Sequence, residues 1–199
     1  MYVTGEIIAE AEAKYGVPED ISMAFDINLH EADVIKGSRI NGRSHDVTVF
    51  AFRGNELAVI RKHSFPTGAY RAPSGGLRPG EPIDAGAQRE FFEETGLVIQ
   101  LQRYLLRIKA RFTCGSRIED WVTHIFCGSI IGGKLGPIDT QEIEDARYAT
   151  IEELQGPFRD ILLSNGRGLY RYRVALTDAT IRKMDELGWP CGLPPGALS

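Results

Sequence analysis

A chain of 199 residues and 22.0 kDa is long enough for one domain with additions and can bury a proper core. With 43% hydrophobic and 25% charged residues it falls outside the disordered and fibrous classes. The formal net charge of -4 and isoelectric point near 5.6 leave no basic footprint for nucleic acid, while a small anionic ligand stays open.

The opening segment MYVTGEIIAEAEAKYG carries acidic residues where a signal peptide needs a basic region, and no run of 18 apolar residues occurs. A cytoplasmic chain without a membrane partner is expected. Cys114, Cys127 and Cys191 are widely spaced, odd in number and free of any CxxC pattern, so plain thiols are expected rather than a disulfide framework or zinc site.

In chain order, Thr4 to Tyr15 reads as a helix, with Thr4 as cap and Ile7, Ile8, Ala11 and Tyr15 at helical spacing. Alternation of Phe25, Ile27 and Leu29 predicts a strand over 25–29, and HEADVIKGSRINGRSH reads as turns. DVTVFAF and LAVIRK around RGNE predict a β-hairpin. KHSFPTGAYRAPSGGLRPGEP, dense in Gly and Pro, predicts a long ordered loop, the kind that carries function in compact domains. Asp84 to Thr95 is a helix ended by Gly96 in the left-handed conformation. LVIQLQRYLLRIKARF and WVTHIFCGSII are strands, IEDARYATIEEL is a strand running into a helix, and GPFRDILLSN and DATIRKMDELG are two further helices. The tail WPCGLPPGALS is irregular, and there is no internal repeat.

Chemistry gathers in the predicted helix at 84–95. Glu90, Glu93 and Glu94 stand three and four residues apart, so their carboxylates converge on one edge. Like charges at that spacing repel by roughly 0.2–0.5 kcal/mol per pair, and a hard divalent cation, Mg2+ or Mn2+, would offset this. An acidic helix alone is better explained as a solvated face. Here it follows Gly75 and Gly76, which lack a Cβ and admit a ligand close to the backbone.

Together, loop and helix resemble the Nudix box, Gx5Ex7REUxEExGU with U a bulky apolar residue. Gly75, Glu81, Arg89, Glu90, Phe91, Glu93, Glu94, Gly96 and Leu97 fill its positions. The resemblance implies an α/β/α sandwich around a mixed β-sheet and a metal-dependent pyrophosphohydrolase acting on a nucleoside diphosphate linked to another moiety. It implies Glu90, Glu93 and Glu94 as metal ligands, Arg89 as a structural residue of the motif and Glu81 as a ligand or support. It also implies a base or further ligand in a later loop, for which Glu142 is the candidate and Glu144 the alternative, so Glu93, Glu94 and Glu142 are the catalytic candidates.

Gly75, Gly76 and Arg71 are candidates for substrate binding. Arg78, Arg111 and Arg117 are read as surface charge ahead of phosphate ligands, Phe65, Tyr70 and Phe112 equally as base-stacking or packing residues, His63 as a candidate ligand contact, and His124 as a packed histidine ahead of a ligand contact. The implied organisation is an N-terminal extension over 1–43, a core over 44–155 and a C-terminal helical extension over 156–199 packed on the core, with apolar residues outside the core pointing to a homodimer. The chain lacks the markers of ADP-ribose, diadenosine polyphosphate, NADH and coenzyme A subfamilies, and Ser74 interrupts the usual PGG. The substrate therefore stays open. A non-catalytic ligand-sensing module is the competing reading. Isoprenoid diphosphate isomerisation, another activity of the fold, has no reactive-cysteine motif to support it.

Overall fold

A computed structural model describes residues 3–39 and 42–188. The tail at 189–199, including Cys191, lies outside the described residues. Helix α1 (Gly5–Tyr15) starts where the sequence places it, with Thr4 Oγ1 accepting from Ile7 N at 3.3 Å. Strand β1 (Glu19–Asp26) begins upstream of the expected strand and stops short of its end, because the chain enters helix α2 (Leu29–Ser38). That helix was expected to be turns. Asn28 and Glu31 form a capping box, Asn28 Oδ1 accepting from Glu31 N and Glu31 Oε2 from Asn28 N at 3.0 Å each, and this start signal outweighs Gly37 inside the helix.

The predicted hairpin is β2 (His45–Arg53) and β3 (Glu56–Lys62), joined through Gly54 at φ 62. Within the predicted loop, Ser74–Gly76 forms a short strand, β4, paired antiparallel with Asp46–Thr48. Then follow α3 (Ile83–Thr95), with Gly96 left-handed at φ 69, β5 (Leu97–Cys114), β6 (Arg117–Gly133), β7 (Ile143–Ala149), α4 (Ile151–Gln155) and α5 (Pro157–Ser164). The last helix, α6 (Gly168–Glu186), starts ten residues before the expected Asp178. Its first turn is held from outside, because buried Glu31 accepts from Gly168 N at 3.3 Å and Leu169 N at 2.8 Å.

The sheet runs β1-β5-β6-β2-β3-β7, with β4 also on β2. β1 is parallel to β5 and β2 to β6, the other pairs are antiparallel, and the sheet is therefore mixed. Residues 46–52 of β2 are all buried because both faces are covered. Val47, Val49 and Ala51 pack with Ala11 of α1 and Ile83, Ala87 and Phe91 of α3. Phe50 and Phe52 pack with Ile35 of α2, Leu154 of α4, Phe158 of α5 and Leu176 of α6. The result is an α/β/α sandwich. Among the described residues no helix is long and apolar enough to cross a membrane. Cys114 is a free, half-buried thiol, whereas Cys127 is disulfide-bonded, which corrects the expectation of plain thiols there.

His124 is a packed histidine, fully buried in β6 between His45, whose Nδ1 lies 2.9 Å from its Nε2, and the Tyr104 hydroxyl. Burial, reinforced by His45 and Arg107, pushes its pKa down to about 3, so it is neutral when folded. The folded value lies below the unfolded value near 6.5, so its stabilising effect is complete above pH 6.5 and declines as pH falls below it. Measured as the difference in unfolding free energy between wild type and His124→Asn, which cancels other titrating groups, the wild-type advantage is expected to shrink below pH 6.5. The slope is at most about 1.4 kcal/mol per pH unit. A pH-independent difference between pH 7 and 5 would refute this.

Candidate active site at the acidic helix

Pairing of β4 with β2 presses the glycine loop against α3. The Glu90 carboxylate lies where a Cβ on Gly75 would stand, and the Arg43 guanidinium where one on Gly76 would stand. Neither position admits a side chain without moving its neighbour. Glu94, 4% exposed, accepts from Ser74 N through Oε2 at 2.7 Å, while its Oε1 lies 3.8 Å from Arg71 and 4.0 Å from Lys62. Burial pushes the Glu94 carboxyl up to about 7, against the opposing pull of Arg71 and Lys62, and burial also raises Glu90.

Arg89 gathers the remaining acids. Its guanidinium donates to both oxygens of Glu81 at 2.8 Å, to Glu90 at 2.7 Å, to Glu93 at 3.0 Å and to the Gly76 carbonyl at 3.1 Å. Glu81 also accepts from Arg78 N at 2.9 Å, closing the loop onto the helix, and the Arg78 side chain reaches Glu93 at 3.3 Å. With Arg89 holding Glu90 and Glu93, and Ser74 and Arg71 holding Glu94, no three His, Cys, Asp or Glu among the described residues stand together as a ready metal cluster.

A cavity of about 480 Å3 opens beside this helix. Glu90, Gly75, Gly76, Arg71 and Ser74 line one side, and Lys62 and Glu142 stand at another. Lys62 is ion-paired with Glu142, which brings that loop glutamate to the site, while Glu144 turns away to Arg61 at 2.6 Å. Arg71 is 4% exposed, donates to Ser74 Oγ at 2.7 Å and Ala72 O at 2.8 Å, and burial lowers its pKa to about 10, which leaves it cationic at neutral pH.

Other candidates separate cleanly. Arg111 and Arg117 pair with Asp120 and Asp33 and do not line the cavity. Phe65 and Phe112 line it, whereas Tyr70 donates to Asp145 and packs on Phe158. His63 lies outside it, with Nε2 3.2 Å from Thr140 O. Residues that sequence reasoning passed over are Arg43, Asp46, Trp121, Tyr172 and Arg173, all in the lining. They come from three separate stretches of chain, so no local spacing links them.

Residues 42–168 match the family model described as NUDIX domain, which covers more than half of the chain. The chain belongs to the NUDIX family. It is 32% identical over 108 residues to the NAD-capped RNA hydrolase NudC of Chromobacterium violaceum, covering 54% of this chain and 38% of that protein. It is 31% identical over 111 residues to the protein of the same name from Stutzerimonas stutzeri, covering 56% and 38%. The matches thus span 38% of the length of these relatives. Among solved structures, a NUDIX hydrolase from Nitrosomonas europaea aligns at TM-score 0.48 and 20% identity over 79% of this chain and 96% of that one. A UDP-X diphosphatase aligns at TM-score 0.45 and 19% identity over 62% and 59%. The NUDIX match leaves α1, β1 and α2 before it and most of α6, including Tyr172 and Arg173, after it.

Proposed function

We propose that this NUDIX protein hydrolyses the pyrophosphate linkage of a nucleoside diphosphate joined to another moiety, using Mg2+ or Mn2+ held by Glu90, Glu93 and Glu94. One observation carries the reading: Glu90, from the helix that also bears Glu93 and Glu94, meets Gly75 at the wall of a cavity that also presents Arg43, Lys62 and Arg71. The donors are all carboxylate oxygens, the ligands that hard divalent cations take, and the space left by the absent Cβ of Gly75 keeps Glu90 at the cavity wall. When bound, the metal neutralises pyrophosphate oxygens and the charge that develops on them.

The chain's own residues do the rest. Arg71 offers a guanidinium to the substrate phosphates, and the Gly75 and Gly76 backbone allows their close approach. Arg89 and Glu81 position the helix carboxylates. Glu142, held at the rim by Lys62, takes the proton of the attacking water, with Glu93 and Glu94 as the alternative acceptors.

The test is product release from a panel of nucleoside diphosphate sugars, dNTPs, dinucleoside polyphosphates, NADH and NAD-capped RNA, with Mg2+ or Mn2+. A preferred substrate establishes the hydrolase and its class. Silence across the panel from folded, metal-binding protein would replace it with a ligand-sensing module. Gly75→Ala pushes Glu90 off the wall and is expected to weaken Mn2+ binding by about 10–100-fold, read by calorimetry. Unchanged affinity would remove Glu90 from the ligand set.

We also propose a homodimer formed through the N-terminal segment. Among the described residues β1 is an edge strand paired only with β5, and Val17, Leu29 and Val34 nearby are exposed at 77%, 63% and 43%. Light scattering after size-exclusion chromatography at micromolar concentration should give twice the chain mass. A monomer ends the proposal.

A further inference from the structure

The same cavity reaches from the acidic helix to α2 and α6 as one chamber, with Phe112 of β5 and Trp121 of β6 in its lining. Of the four arginines that line it, Arg43, Arg71, Arg167 and Arg173, two are set apart, Arg71 from the loop before β4 and Arg173 from α6. Each holds a buried N–H without a hydrogen-bond partner among the described residues, Nε of Arg71 and Nη1 of Arg173. Buried charged donors are expensive to leave unmade. The two cations are also close enough that Arg173 contributes to lowering the Arg71 pKa, after burial.

The anions nearby pair with these cations without completing their hydrogen bonds. Asp46 accepts from the Thr123 hydroxyl and stands 3.7 Å from Arg173, outside hydrogen-bond distance, while Glu94 is held by Ser74 N and lies 3.8 Å from Arg71. Two guanidinium groups in the wall of one chamber, each ion-paired but with a buried N–H left unbonded, suit an anion with several acceptor oxygens. A phosphoryl group has that chemistry, and the aromatic side chains beside it suit the ring system of a nucleotide.

Resting on the hydrolase reading above, we propose that Arg173 and Arg71 form a phosphate clamp that holds a phosphoryl group of the nucleotide without metal, and that Arg173 is a specificity-determining residue. Arg173 lies beyond residue 168, where the NUDIX match ends, so the clamp is completed by the C-terminal helix and not by the matched segment.

The test is equilibrium binding of AMP and adenosine to the full chain in EDTA, by calorimetry or tryptophan fluorescence. Wild type should bind AMP at least about 10-fold more tightly than adenosine, and Arg173→Gln should abolish that preference. Arg173→Lys, which keeps the charge and removes the fork, should lower AMP affinity with adenosine unchanged, and it replaces Arg173→Gln should that variant not fold. On a substrate identified by the panel, Arg173→Gln should raise KM by about 10-fold with kcat within about twofold, the split that loss of uniform substrate binding produces.

Equal binding of AMP and adenosine by wild type, or a preference unchanged in the folded variants, overturns the clamp. Metal and turnover play no part in the binding assay, so the two readings fail separately. A failed clamp in a protein that hydrolyses the panel leaves the hydrolase standing, and a working clamp in a protein silent on the panel leaves phosphate recognition standing.

Discussion

Glu94→Gln is expected to lower kcat by at least about 100-fold while leaving the metal-free protein as stable as wild type or more stable. The magnitude follows from the usual loss of about 10–100-fold when only a supporting partner of a metal ligand is removed, so losing a ligand belongs at or above that range. The second half follows from burial. Glu94 is 4% exposed, and its pKa is raised to about 7 by burial despite Arg71 and Lys62. A folded pKa above the unfolded one means that the protonated form is stabilised by folding, fully below the unfolded value and progressively less as pH rises through 7. At pH 8 the folded chain therefore carries the desolvation of a charged carboxylate, which glutamine does not impose, and glutamine still accepts from Ser74 N. Thermal unfolding in EDTA at pH 8 beside initial rates in Mg2+ would decide. A variant that loses stability and activity together would make Glu94 a structural residue.

Glu31→Ala is expected to have the largest effect on stability, about 3–5 kcal/mol out of the roughly 5–15 kcal/mol typical of a domain. Glu31 is 1% exposed, accepts from the Asn28, Gly168 and Leu169 amides, and stands 3.6 Å from Arg167. One carboxylate thus caps two helices, α2 and α6, that wall the chamber. Alanine leaves three amides and a cation without it. Urea unfolding should show a lowered midpoint, and Arg167→Ala, which leaves the amides capped, should cost much less. A loss under 1 kcal/mol in Glu31→Ala would show that water replaces the carboxylate.

Much of this protein was legible locally. Thr4 marks the start of α1, the Gly54 turn marks the β2–β3 hairpin, and Gly96 ends α3, because capping and turn chemistry act within a few residues. The box residues from Gly75 to Leu97 were readable for the same reason, since helix periodicity alone places Glu90, Glu93 and Glu94 on one edge. The Asn28–Glu31 capping box is equally local, but the alternation of Phe25, Ile27 and Leu29 overlaps it and points to a strand instead.

Tertiary structure decided the rest. The sequence by itself determined the acidic helix, the glycine loop before it and the family that owns them. It did not determine that Lys62 joins Glu142 to the site, that Glu144 leaves it for Arg61, or that Arg173 lines the same cavity as Arg71. Those pairs are separated by 80, 83 and about a hundred residues. They meet only because β7 docks on β3 and α6 packs over the sheet face opposite α3. The start of α6 is the plainest case: its first amides are satisfied by a carboxylate on α2, a partner that no local spacing can reveal.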